Sequence, residues 1–84
     1  MKPAAQRSRQ RALGRAVRIS RAIQALSQEE LGFRSDLHRN YVGAIERGEI
    51  NPTFRVLLKL ARGLDVSLSQ LVMEAERWAG SEPH

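Results

Sequence analysis

The sequence predicts an all-α fold in which five helices enclose one compact hydrophobic core. Apolar residues recur at the three- and four-residue spacing of amphipathic helices, and no stretch of useful length alternates as a half-buried strand would. Serine or threonine precedes several of these stretches, as N-caps do, and glycine follows several, as it does after helices. Because 84 residues leave room for one core only, we expect a single domain.

The composition excludes several kinds of protein. Hydrophobic residues make up 42% of the chain and charged residues 27%, which is the ordinary range of a globular domain. The absence of cysteine excludes disulfides and thiolate zinc sites. No apolar run approaches the roughly 20 residues that span a bilayer, and the N-terminus lacks the apolar core of a secretory signal. We therefore expect a cytoplasmic protein without cofactor or metal.

The charge is basic and unevenly distributed. Lys and Arg number 14 against 9 acidic residues, which gives a net charge of +5. Seven basic residues precede residue 22 without any acid among them: Lys2, Arg7, Arg9, Arg11, Arg15, Arg18 and Arg21. Such a block favours a polyanionic partner, either nucleic acid or an anionic membrane surface. A solvated tail that aids solubility is the alternative.

The N-terminal part divides into an arm and a first helix. Residues 1–8 combine Pro3 with small and charged residues and show no apolar period, so we expect a flexible basic arm. Helix 1 is predicted over about residues 9–25, where Leu13 and Val17 belong to an apolar stripe.

Helix 2 is predicted over about residues 28–34. Ser27 is a good N-cap, and Glu30 three residues later completes a capping box. Leu31 is the expected buried anchor. Gly32 costs about 1 kcal/mol relative to Ala inside a helix, which predicts that another helix approaches closely there.

A tight turn at residues 35–37 leads into helix 3, predicted over about residues 39–47. Asp36 tolerates the left-handed conformation that such turns often need, and His38 is a weak N-cap. The expected inward residues of helix 3 are Tyr41, Val42 and Ile45. Two helices joined in this way form a helix-turn-helix, whose second helix enters the DNA major groove. A generic small α domain is the alternative.

Two more helices complete the predicted domain, which spans residues 9–79. Helix 4 is predicted over about residues 53–62 and helix 5 over about 68–79, each beginning at a serine or threonine cap. Residues 80–84 are expected to form a frayed tail.

Several segments together resemble a known family. They are Leu13-Gly14, Val17-Arg18, Arg21, LSQEEL (26–31), HRNYVGAIERGE (38–49), Asn51-Pro52 and LLKLARGLDVSLSQL (57–71). The chain resembles the lambda-repressor-like, Cro/repressor or XRE-type helix-turn-helix family over about residues 11–72. The segment HRNYVGAIERGE (38–49) is especially similar to controller proteins of restriction–modification systems, which are small dimeric regulators. The resemblance implies a sequence-specific DNA-binding transcriptional regulator.

The resemblance also implies which residues contact bases. In this family the outer face of helix 3 meets the base edges, which here places Arg39, Asn40, Gly43 and Ala44 there. The chemistry agrees, because Arg can bond bidentately to guanine O6 and N7, and Asn to adenine N6 and N7. A phosphate contact is the alternative for Arg39.

A second set of residues is expected to contact the DNA backbone. These are Gln28, His38, Tyr41, Arg47 and Asn51. Gln28 lies in the first turn of helix 2, and a helix N-terminus attracts phosphate. His38 stands where the family commonly has Ser or Thr, and an adventitious exposed histidine is the alternative for it.

Arg21 and Glu46 match a structural pair of the family that ties helix 1 to the end of helix 3. We expect it to position the recognition helix without touching DNA, and a partly buried pair is costly to break on one side. An exposed pair of little energetic value is the alternative.

Helix 5 is the expected dimer contact, through Leu71, Ala75 and Trp78. Related regulators pair through this end of the domain, and Trp is enriched at interface hot spots. A two-fold dimer would place its recognition helices about 34 Å apart and require a pseudo-palindromic DNA site. Closing the core of its own chain is the alternative for Trp78.

Other functions are weaker interpretations. His38 and His84 are far apart, and no nucleophile–base arrangement or glycine-rich phosphate loop is present, so we do not expect an enzyme. No small-molecule ligand is evident. A membrane-surface role needs bulky apolar anchors, which residues 1–12 lack. The leading alternative is an antitoxin-type or other protein-interaction module of the same fold.

Overall fold

The computed structural model describes the backbone of residues 3–81 and the side chains of residues 6–79. Five helices follow one another: α1 (Pro3–Ile23), α2 (Gln28–Ser35), α3 (Arg39–Glu46), α4 (Phe54–Gly63) and α5 (Leu68–Ser81). The described range contains no strand. The predicted all-α, five-helix fold is confirmed.

The first helix begins earlier than the sequence pattern predicted. Residues 3–8 are helical, so the prediction of a flexible arm is wrong for them. Proline suits the first turn of a helix because its missing N–H has no partner there, and the alanines, glutamine and arginine that follow are good helix formers. Residues 1–2, the remainder of the predicted arm, lie outside the described residues.

The end of α1 also differs from the prediction. The helix stops at Ile23 because Ala25 takes the left-handed conformation, with φ of 56°. This lets the Leu26 N–H donate to the Arg21 carbonyl oxygen at 3.1 Å, a bond that closes the helix. The other helices match their predicted bounds within two residues. Residues 80–81, which we expected to fray, belong to α5; residues 82–84 and His84 lie outside the described range.

Every helix contributes to one core. Its buried members are Ala16, Val17, Leu31, Val42, Ile45, Leu60, Ala61, Leu64 and Leu71. The predicted anchors Leu31, Val42 and Ile45 are completely buried. Because two of these belong to α3, that helix is held in place by its inner face.

The beginning of α2 carries the predicted capping box. The Glu30 N–H donates to the Ser27 hydroxyl at 2.9 Å, and the Ser27 N–H donates to the Glu30 carboxylate at 3.0 Å. The hydrogen bond that the Glu30 carboxylate accepts from the Ser27 N–H, with a smaller contribution from the Ser27 hydroxyl, lowers the pKa of Glu30. Since the folded pKa is lowered, this contribution to stability is present above the ordinary pKa of Glu30 and is lost as pH falls through the lowered value.

The turn between α2 and α3 is tight because of two residues. Asp36 is left-handed, with φ of 55°, as predicted. A Cβ atom on Gly32 would lie 2.5 Å from the Leu37 carbonyl oxygen and 3.3 Å from the Arg39 nitrogen. The expected close approach at Gly32 is therefore real, but the neighbour is the backbone of the turn and of the start of α3. Glycine at position 32 lets the two helices of the motif meet.

Candidate nucleic-acid interface

The four residues of α3 that are predicted to contact bases differ in their exposure. Arg39 and Asn40 are exposed at the N-terminal end of the helix, whereas Ala44 is half-buried and Gly43 is buried. Only the first two side chains are therefore fully available to a major groove. The roles of all four in base contact remain predictions.

Gly43 lies beneath two polar side chains. A Cβ atom at this position would be 3.0 Å from Arg47 Nη1 and 3.3 Å from Gln28 Oε1. The guanidinium of Arg47, the C-cap residue of α3, and the amide of Gln28 therefore converge over the one residue of this face without a side chain. The spacing of residues 43 and 47, one helical turn apart, indicates half of this arrangement. The contribution of Gln28 cannot be inferred from spacing.

The predicted pair of Arg21 and Glu46 is present and nearly buried. Arg21 Nε donates to Glu46 Oε2 at 2.7 Å, and Arg21 Nη2 donates to Glu46 Oε1 at 3.0 Å. The exposed fractions of the two side chains are 18% and 3%. Arg21 Nη1 also donates to the Leu26 carbonyl oxygen at 2.8 Å. The hydrogen bonds to Glu46 raise the pKa of Arg21 despite its burial, so the guanidinium stays charged.

The same carboxylate orients a predicted phosphate contact. Gln28 Nε2 donates to Glu46 Oε1 at 3.0 Å. Arg18 Nη2 donates to the Glu46 backbone carbonyl at 3.1 Å, at the C-terminal end of α3, where a cation suits the helix dipole. Glu46 thus connects α1, α2 and α3 around the recognition surface. The sequence predicted its link to Arg21 but not the link to Gln28.

Each arginine of the α3 surface has a carboxylate partner that the sequence analysis missed. Arg39 Nη1 donates to Glu29 Oε2 at 2.8 Å. Arg47 donates to Glu49 through Nε at 2.7 Å and through Nη2 at 3.2 Å. The hydrogen bonds with Glu49 raise the pKa of Arg47, and those with Arg47 lower the pKa of Glu49. Glu49 is two residues from its partner, but nothing in the sequence relates Glu29 to Arg39.

The remaining predicted phosphate contacts lie in different environments. His38 caps α3, since its Nδ1 accepts a hydrogen bond from the Asn40 N–H at 3.0 Å. In the neutral ring this leaves the proton on Nε2, where it can be donated to a phosphate. Tyr41 is half-buried against the core, and Asn51 is exposed in the loop after α3. Contact with DNA by these residues remains a prediction.

The predicted dimer residues of α5 face their own chain more than expected. Leu71 is only 3% exposed and belongs to the core, which removes it from the predicted contact. Ala75 and Trp78 are partly buried against the same core, and the Arg15 guanidinium stacks 3.8 Å from the centre of the Trp78 ring. The apolar spacing of a helix cannot separate a core residue from an interface residue on that helix.

The described residues show neither a membrane-spanning helix nor a cluster of metal-binding side chains. None of the helices there is long and apolar enough to cross a membrane. Among the same residues, no group of three or more His, Cys, Asp or Glu is placed to hold a metal ion.

Comparisons with known proteins agree with this arrangement. The model of the family HTH_3, described as helix-turn-helix, matches residues 17–71. Control protein C.SmaI of Serratia marcescens is 45% identical over 60 residues, which cover 71% of this chain and 71% of that protein. Control protein C.BamHI of Bacillus amyloliquefaciens is 38% identical over 58 residues, 69% of each chain. The crystal structure of the restriction–modification controller protein C.AhdI from Aeromonas hydrophila matches with a TM-score of 0.72 and 42% identity, covering 74% of this chain and 94% of that one.

Proposed function

This chain belongs to the helix-turn-helix family HTH_3, and from that premise we propose that it is a DNA-binding transcriptional regulator of the controller-protein type. One observation carries the proposal: α3 is fixed by its buried face while Arg39 and Asn40 stand exposed at its first turn. This is the end of a recognition helix that contacts base edges in helix-turn-helix complexes. The protein acts by binding, without catalysis or a cofactor.

The base contacts proposed for α3 follow from donor and acceptor patterns. Arg39 offers paired N–H donors for O6 and N7 of guanine, and the Asn40 amide matches N6 and N7 of adenine. Gly43 contributes by the space it leaves for Gln28 and Arg47. Ala44, half-buried beside them, can meet a thymine methyl group.

The residues that we propose to contact phosphates lie around Arg39 and Asn40. Gln28, His38, Tyr41, Arg47 and Asn51 form the set. The first half of α1 lies next to them, because Gln10 Nε2 donates to the Gly48 carbonyl oxygen at 3.3 Å, just beyond the end of α3. This part of α1 carries Arg7, Arg9 and Arg11 and so adds positive charge. Such contacts would supply sequence-independent affinity that falls with salt concentration.

The proposal is tested by selecting bound duplexes from a random pool. We expect enrichment of one sequence with two-fold symmetry and half-sites about one helical turn apart. Recovery of unselected DNA, or of none, would overturn the proposal.

Gly43→Ala should change protein stability and DNA affinity in opposite directions. We expect the variant to be about 0.5–1 kcal/mol more stable, because Ala is the better helix former. Its new methyl group would displace only the ends of two flexible side chains, Arg47 and Gln28. If these two side chains contact DNA as proposed, their displacement should weaken binding to the selected DNA by about 1 kcal/mol, the value of one hydrogen bond. Thermal melting and a DNA titration measure the two effects; unchanged affinity would show that neither side chain contacts DNA from this position.

We propose that the regulator is a homodimer that pairs through α5, since one helix-turn-helix contacts too few bases for specificity. Two apolar side chains of α5 are exposed, Met73 at 63% and Val72 at 38%, beside the partly buried Ala75 and Trp78. Together they form an apolar surface that a second copy can cover.

Met73→Glu tests this surface without disturbing the core. A buried charge at the contact should shift the sedimentation mass from dimer to monomer while the melting temperature of the monomer stays unchanged. Ile23→Glu is the matched control, because Ile23 is an equally bulky residue, 80% exposed on α1. Equal masses for both variants would exclude Met73 from the dimer contact.

A further inference from the structure

We propose that Glu29 determines specificity by positioning Arg39 to contact a guanine. The inference rests on the proposed DNA binding and assigns a role to a residue of α2 that reaches no base itself. Glu29 and Arg39 are ten residues apart and are joined across the turn of the motif by a single hydrogen bond of 2.8 Å.

The pair leaves the base-contacting edge of Arg39 free. A guanidinium has five N–H donors in a planar fork, and Glu29 accepts from Nη1 only. Nε and Nη2 of Arg39 therefore remain available as the two parallel donors that guanine O6 and N7 require. Arg39 can contact a base and keep its carboxylate partner at the same time.

The second arginine of this surface shows the contrast. Glu49 accepts from both Nε and Nη2 of Arg47, which occupies that same edge of the guanidinium. For a bidentate base contact through this edge, Arg47 must first leave Glu49. The ion pairs at the two ends of α3 thus differ in function. The pair at Arg39 is compatible with base recognition, and the pair at Arg47 competes with it.

The charge of Glu29 also decides between the two possible partners of Arg39. The side chains of Glu29 and Arg39 are 72% and 61% exposed, so an unpaired arginine here would sample many rotamers. The carboxylate limits this freedom and repels a phosphate that approaches the same guanidinium. Guanine, which offers neutral acceptors, does not meet that repulsion. The pair therefore favours a base contact over a backbone contact.

The experiment measures how each variant discriminates among DNA duplexes at one salt concentration. The selected DNA site and its single base-pair substitutions are titrated with wild-type protein, Glu29→Gln and Glu74→Gln. Glu74→Gln is the matched control, since it removes the same charge and a similarly exposed single-bonded pair, Arg77–Glu74 at 3.0 Å, on α5. Arg39→Ala identifies the base pair that Arg39 contacts. Thermal melting verifies that each variant folds.

We expect Glu29→Gln to reduce discrimination at the Arg39 base pair about two- to fivefold, the range of an exposed ion pair, and to strengthen binding to unrelated duplex. Glu74→Gln should change neither the discrimination nor the binding to unrelated duplex. In the double variant with Arg39→Ala, Glu29→Gln should cause no further loss of discrimination. Unchanged discrimination, or an equal loss at every base pair, overturns the role of Glu29. A wild-type protein that prefers no sequence overturns the proposed function instead.

Discussion

Glu46→Ala is expected to lower the free energy of unfolding by about 3–5 kcal/mol, the largest effect of any single change considered for this protein. Glu46 is 3% exposed and accepts three side-chain hydrogen bonds, two from Arg21 and one from Gln28. Its removal would leave the Arg21 guanidinium, itself 18% exposed, as a largely buried cation with one backbone partner. A loss of this size is a large part of the stability of a small domain.

Urea unfolding of Glu46→Ala and of Glu74→Ala measures this effect. Glu74 is 50% exposed and pairs with Arg77 within α5, so its removal should cost only a few tenths of a kcal/mol. Equal effects for the two variants would contradict a structural role of Glu46. Arg21→Ala should cost a comparable amount, because it leaves the Glu46 carboxylate, only 3% exposed, with Gln28 as its one remaining side-chain donor.

Arg39→Ala is expected to weaken binding to the selected DNA by about 1–3 kcal/mol and to abolish the preference at one or two base pairs. The reason is the loss of a bidentate contact that only the correct base can satisfy. Asn40→Ala should act in the same way at a neighbouring base pair. Neither side chain contributes to the core, so stability should be nearly unchanged.

Competition titrations with the selected DNA and with its single substitutions distinguish this role from a phosphate contact. The control is Arg62→Ala, which removes one positive charge from the exposed surface of α4. A phosphate contact by Arg39 would instead produce uniform weakening on every sequence and a smaller salt dependence, and that outcome would refute base contact.

The fold could be predicted because its signals are local. The Ser27–Glu30 capping box, the left-handed Asp36 and the apolar periodicity each depend on residues within one or two helical turns. The start of α1 lies outside the sequence prediction because residues 3–8 carry no apolar stripe. Those first turns are helical through intrinsic propensity, without the period that packing imposes.

The site was predicted less completely because its contacts join distant parts of the chain. The family resemblance predicts the Arg21–Glu46 pair. The bonds from Gln28 to Glu46 and from Arg39 to Glu29 cross the turn of the motif, so the spacing of the residues does not predict them. The burial of Gly43 depends on side chains from two helices. Only the structure therefore shows that Arg39 and Arg47 engage their carboxylate partners through different edges of the guanidinium.

A crystal structure of the protein bound to its selected DNA tests the DNA-reading role of α3 most directly. We expect α3 in the major groove, with Arg39 and Asn40 within about 3 Å of base-edge atoms. We also expect Glu29 to remain bonded to Arg39 in this arrangement. A complex in which both side chains meet only phosphates, or in which α3 lies outside the groove, would contradict it.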